Sequence, residues 1–345
     1  MVFQFLNSNN LMIVFSTALS SLIMLFAIET PDFIELEYLR KNLEYEVASR
    51  TNDLKIANDE LEKKNRQAKQ DMALAAHVQE VLYIHKFNYH AWDIAVQFNT
   101  LYGISGDLYD FYTHEGRLRG FGLFDVSGHG IASGLVTVLA KSTLRHEFRN
   151  TLNDNLSDAI KQINDSLIKV KGNIENYLTG IICRITPDTV ANREQSVLEI
   201  ANAGAPYPIY KSNSSEKSIL ITPRKDLPQY GMFGVSGLDI SVQTILRPMN
   251  IGDIIILYTD GVSESENNNG EQYGRERIQA IIDSLNTKAM SSQEILDAIF
   301  DNFKTFVESN KIDDDITILV LKRVQDNSNE DDIEILELLD EVTDA

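Results

Sequence analysis

The sequence predicts an α+β fold: a β-sandwich covered by helices, preceded by a long charged helix and a hydrophobic N-terminal segment. Three observations carry this. Between residues 87 and 324 strand-like runs alternate with helical ones, and the region is rich in β-forming residues. Runs such as Ile254-Ile255-Ile256-Leu257 and Ile318-Leu319-Val320-Leu321 are apolar without a break, the mark of strands buried on both faces. Residues 36–82 hold neither Gly nor Pro, so nothing there interrupts a helix. Sheets that hide both faces need helical layers over them, which makes a covered sandwich the economical solution. The pattern leaves strand order open.

The elements follow in order. Residues 11–28 carry no charge and would span about 27 Å as a helix at ~1.5 Å per residue, just enough for a bilayer core. No Lys or Arg precedes the run and no A-x-A site follows it, which argues against a signal peptide. A membrane span is expected here, with a buried partner-binding helix as the alternative. Arg40 and Lys41 lie after the run, so the positive-inside rule puts the rest of the chain on the cytoplasmic side, membrane-associated through residues 1–30.

Pro31 suits the start of the next helix, over residues 31–86. One seven-residue series, Arg40, Val47, Leu54, Leu61, Ala68, Ala75 and Leu82, is almost wholly apolar. Its companion, Leu36, Leu43, Arg50, Ala57, Lys64, Asp71 and Val78, is interrupted by charge. The pair predicts a coiled-coil linker and a homodimer through it, against a single solvated helix.

Within residues 87–324 strands are predicted at 92–98, 118–126, 177–185, 197–203, 240–246, 253–259 and 316–322, and helices at 130–148, 156–170, 275–285 and 293–307. Residues 325–345 form an acidic tail, disordered or folding into a short partner-docking helix.

Composition narrows the function. The formal charge of −20 excludes nucleic acid as the main partner, because a phosphate backbone wants Lys and Arg. The one cysteine, Cys183, lies in an apolar run; an internal disulfide is impossible and a reducing compartment fits. It reads as a core residue rather than a nucleophile.

Four acidic motifs carry the chemistry. They are Ser105-Gly106-Asp107-Leu108-Tyr109-Asp110, Asp125-Val126-Ser127-Gly128-His129-Gly130, Tyr258-Thr259-Asp260-Gly261 and Asp313-Asp314-Asp315-Ile316-Thr317. Each places a carboxylate at the end of an apolar run or beside a glycine. A lone Asp next to Gly is ordinarily a turn residue, and Asp253 after Gly252 reads that way. Four such motifs instead suit a cluster of oxygen ligands for Mg²⁺ or Mn²⁺, gathered from distant strands. Asp107, Asp125, Asp260 and Asp314 are the candidate metal-ligating and catalytic residues.

With Ala201-Asn202-Ala203-Gly204 and Gly252-Asp253 these motifs resemble the PPM/PP2C metal-dependent serine/threonine phosphatases, in the bacterial RsbU/SpoIIE branch, over residues 72–323. The segment Ala75-Ala76-His77-Val78-Gln79-Glu80-Val81-Leu82 resembles that branch's linker helix.

The resemblance implies an αββα sandwich and two ions, Mn²⁺ or Mg²⁺. Asp125 would bridge them, Asp107 and the Val126 carbonyl would contribute, and Asp260 and Asp314 would complete the first site. Asp110 and Asp315 would support from behind, although Asp315 could exchange roles with Asp314. His129 would be a loop residue. Ser105 and Ala205 stand where the family commonly has Gly and His, which touches loop packing or substrate contact rather than the metal site. The implied reaction is hydrolysis of a phosphoprotein, an anti-sigma-factor antagonist of STAS type, by metal-activated water in a partner-switching pathway. A membrane-tethered non-catalytic scaffold and a metal-dependent nucleotide cyclase are the alternatives.

Overall fold

The structure is a computed structural model that describes residues 8–83, 89–101, 103–114, 116–128, 130–186, 195–227, 231–308 and 312–326. The acidic tail beyond residue 326 and His129 therefore lie outside the described residues. The chain divides into two compact units, Met1–Lys69 and Gln70–Ala345.

The described part of the first unit, residues 8–69, consists of helix. Helix α1, Ser8–Val81, runs through it and supplies the opening turns of the second unit. It passes through Pro31 instead of starting there. An interior proline removes one N–H donor but leaves the ladder on either side to continue. Among the described residues no helix is long and apolar enough to cross a membrane; the span predicted over residues 11–28 lies in part outside them. The side chains of residues 26–28 lie outside the described set. Inside that run the hydroxyls of Thr17 and Ser21 donate back to the carbonyls of Ile13 and Thr17. Leu36, Leu43, Val47, Leu54 and Leu61 of the heptad series are all more than half exposed.

The second unit is the predicted sandwich. Its first sheet has the order β1 (Trp92–Asn99), β10 (Ile316–Arg323), β9 (Ile254–Tyr258), β6 (Ile209–Lys211), β7 (Ile219–Leu220). Its second has the order β2 (Asp107–His114), β3 (Arg117–Val126), β4 (Leu178–Thr186), β5 (Gln195–Ala203), β8 (Thr244–Asn250). Every pairing is antiparallel. The continuous apolar runs are β9 and the middle of β10, neighbours inside the first sheet and buried along their whole length.

Helices α2 (Ile131–Asn150) and α3 (Leu156–Lys171) lie on the second sheet. Helix α6 (Ser292–Val307) lies on the first, with α5 (Arg275–Ser284) packed against it. The layers are thus helix, sheet, sheet, helix, with one apolar core between the sheets and under α2 and α3 and another under α5 and α6. Residues 3.6 apart on α3 and α6 supply the buried stripes, for example Ile295, Leu296, Ile299, Phe303 and Val307. A capping box of Ser291 and Glu294 starts α6.

One predicted boundary is corrected and two elements are added. The strand expected at 240–246 is displaced to β8. Ile240 and Val242 are apolar because they plug the core from a loop, where the Gln243 side chain holds the carbonyls of Arg224 and Leu227. Strand β2 and the short helix α4, Asp260–Glu264, escaped the sequence reading because their acidic residues mask the underlying pattern.

Candidate metal centre

Strands β2 and β3 pair so that Asp107 faces Asp125 directly. Like charges opposed across a ladder repel, so this register needs a compensating partner. On the other sheet β9 ends at Tyr258 and is followed by Thr259 and Asp260, while β10 begins just after Asp314 and Asp315. Tyr258 pairs with Ile318, which brings those two ends level. The four motifs therefore meet at one end of the sandwich.

Electrostatics register the meeting. Burial, then the charges of Asp260, Asp314 and Asp315, push the Asp125 carboxyl up to about 7. Burial and the Asp125 charge hold Asp107 well above the usual carboxylate range, against hydrogen bonds from Thr317 and Thr259 that pull it down.

Each acid has its own support. Asp107 is almost fully buried, and its Oδ2 accepts from Thr259 Oγ1 at 3.0 Å and from Thr317 Oγ1. Asp315 accepts from Leu101 N at 2.7 Å, Ser105 Oγ at 2.8 Å and Gly106 N at 2.9 Å. Both its oxygens are thus spent on holding the 101–106 loop, a supporting role distinct from that of Asp314. Asp110, fully buried, takes Lys141 Nζ at 2.8 Å and Arg145 Nη2 at 2.7 Å, both from α2. Asp253 is the turn residue expected: it accepts from Tyr210 Oη, Asn213 N and Asn250 N.

Two glycines make the approach possible. A Cβ on Gly261 would lie 2.0 Å from the Asp315 carbonyl oxygen, so only glycine lets α4 start against that strand end. A Cβ on Gly106 would sit 2.9 Å from Val126 O, 3.3 Å from Gly128 O and 3.5 Å from Asp125 Oδ1. Three oxygens thus face the space that Gly106 leaves open, a donor set of the hard type that Mg²⁺ and Mn²⁺ take. Among the described residues no three acidic, imidazole or thiol groups close on one point.

Sequence reasoning missed the residues that hold the acids in place. Thr259 and Thr317 sat inside the acidic motifs without a role. Gln79, on the last turn of α1, is buried: its Nε2 donates to Ser105 O and Thr137 Oγ1, and its Oε1 accepts from Ser105 N. Tyr83 donates to the Asp107 carbonyl at 2.7 Å and stacks near Phe98 and Tyr109. Gln79 shares its turn with the polar His77 and Glu80, so no signal singled it out. Lys141 gave none.

The family described as stage II sporulation protein E (SpoIIE) matches residues 116–324. Phosphoserine phosphatase RsbP of Bacillus subtilis is 28% identical over 172 residues, 48% of this chain and 38% of that protein. Protein IcfG of Synechocystis is 24% identical over 253 residues, 67% of this chain and 38% of that protein. The chain thus spans well under half the length of these curated relatives.

Among solved structures, the SiaA-PP2C domain of Pseudomonas aeruginosa aligns with a TM-score of 0.59 at 14% identity, over 75% of this chain and 98% of that one. The PP2C phosphatase domain of SpoIIE from Bacillus subtilis, with a fragment of its regulatory domain, aligns with a TM-score of 0.53 at 17% identity, over 69% of this chain and 64% of that one. These likenesses show a PP2C fold.

Proposed function

The chain belongs to the SpoIIE family, and on that premise we propose that it is a metal-dependent serine/threonine protein phosphatase. The observation that carries the reading is the meeting of Asp107, Asp125, Asp260 and Asp314 at one end of the sandwich, with Asp107 and Asp125 opposed in register.

Asp107, Asp125, Asp260, Asp314 and the Val126 carbonyl would hold the ions, two in number, with Asp125 shared between them. Mn²⁺ or Mg²⁺, when bound, neutralises phosphoryl oxygens and lowers the pKa of a coordinated water. The protein's own part is to hold these acids in place, close enough together that a cation is needed to ionise them. Thr259 and Thr317 orient Asp107, Asp315 holds the loop beneath it, and Asp110 anchors β2 to α2. Among the described residues Cys183 is fully buried with its thiol pushed up by burial, and the hydroxyls of Thr259 and Thr317 are engaged by Asp107. Water attacks phosphorus, the bond from phosphorus to the serine or threonine oxygen breaks, and that oxygen leaves with a proton.

The substrate proposed is a small phosphorylated STAS-type protein in a partner-switching pathway. Support comes from the resemblance of the motifs to the RsbU/SpoIIE branch. A homodimer through the heptad helix is part of the same reading, supported by the exposed Leu36, Leu43, Val47, Leu54 and Leu61.

The test is phosphate release from a phosphoserine protein by the full chain with Mn²⁺, with EDTA, and with Asp260→Asn. Turnover is expected only from the wild type with metal. Metal binding without turnover on any phosphoprotein would leave a signalling scaffold as the better description.

A further inference from the structure

The geometry points to Thr259 and Thr317 as positioning residues that fix the Asp107 carboxylate from the opposite sheet and reserve its Oδ1 for the cation. The inference rests on the metal-centre reading above.

Three observations converge. Both hydroxyls donate to the same atom, Asp107 Oδ2. Thr259 Oγ1 also accepts from Thr317 N at 3.1 Å, so its one proton is free to point only at Asp107. The backbone closes the ring, because Thr259 N donates to Thr317 O at 3.1 Å. All three residues are nearly or wholly buried, so water cannot replace a lost hydroxyl at little cost.

The arrangement crosses the sandwich. Asp107 stands on the second sheet; Thr259 and Thr317 stand on the end of β9 and on β10 in the first. The same two strand ends deliver Asp260 and Asp314. One segment thus supplies an acid to the cation and a hydroxyl to the acid across the gap, twice over. Two donors on Oδ2 occupy its two lone pairs and oppose rotation of the side chain. The oxygen left for a cation is Oδ1, and its direction is set before the metal arrives. Partners that orient a metal ligand in this way typically change metal affinity by about 10–100-fold when removed.

The experiment compares Thr317→Val, Thr259→Val and Thr317→Ser with the wild type, using Mn²⁺ alone as the probe. Mn²⁺ affinity is read by calorimetry, the metal-free melting temperature in EDTA, and turnover against Mn²⁺ concentration. Val keeps the size and removes the hydroxyl; Ser keeps the hydroxyl and removes the methyl.

The expected result is an affinity loss of at least about tenfold for either Val variant, with Ser restoring affinity to near the wild type. The Mn²⁺ concentration for half-maximal turnover should move in step. Should Thr317→Val fail to fold, Thr259→Val carries the same comparison. Val variants that fold and bind Mn²⁺ like the wild type overturn the inference, as does a Ser variant as weak as Val. A wild-type chain that binds no Mn²⁺ overturns the metal-centre reading itself, an outcome distinct from either.

Discussion

Asp125, the acid proposed to be shared by the ions, sets a pH dependence. In the folded chain it titrates near 7, against about 3.9 for an unperturbed aspartate. The fold favours its protonated form, because burial and three acidic neighbours oppose the charge. Its contribution to stability is therefore full below about pH 4 and lost as the pH climbs through about 7. Asp107, raised by burial and by Asp125, adds to the same slope. In EDTA the melting temperature should fall as pH rises from 4 to 7, and Asp125→Asn should flatten the fall. A pH-independent wild type would contradict the geometry. Mn²⁺ should reverse the trend, since ionised carboxylates are what it binds, and Asp125→Asn should lose turnover while remaining folded. At this scale the acids were legible because each sits in a short motif. Their supports were not: Thr259 and Thr317 lie 152 and 210 residues from Asp107, and no local pattern joins them.

Elements were legible where periodicity was clean. Helices α3 and α6 and strands β9 and β10 announce themselves by burial stripes. Strand β8 did not, because Ile240 and Val242 mimic strand residues while filling the core from a loop. The last turn of α1 belongs to the same lesson. It looked like the end of a linker, yet Gln79 bonds both backbone groups of Ser105. Gln79→Ala would leave the buried Ser105 N–H unpaired, while Ser105 O keeps Thr137. The expected cost is about 1–3 kcal/mol. That corresponds to a Tm drop of roughly 2–4 °C per kcal/mol in a domain of this size. Turnover should fall too, because the loop that leads into Asp107 loses its tie. A variant with unchanged melting and rate would show the contact to be idle. Gly261→Ala should be worse, since its Cβ would strike backbone rather than a movable side chain.

For the whole molecule, the division at Lys69/Gln70 predicts where the chain tolerates cutting. Residues 70–345 keep Gln79 and Tyr83 and should melt and turn over as a complete phosphatase. Residues 87–345 lose both and should melt lower and work more slowly. Light scattering should find the full chain dimeric and residues 70–345 monomeric; equal association states would remove the heptad helix from the interface. The sandwich itself was foreseen from apolar runs that demanded cover on both faces. Its strand order was not, because antiparallel pairings between β1 and β10 or β2 and β3 leave the same apolar pattern in the sequence.

Cys183 sits fully buried in the middle of β4, opposite Phe121 of β3 and Ile200 of β5. It is the chain's only thiol, and burial keeps it protonated. A thiol reagent therefore gains access only when the second sheet comes apart, and the labelling rate becomes a clock for that event. Run with and without Mn²⁺, the clock would report how much the ions slow the opening of the sandwich, using an atom the protein already carries.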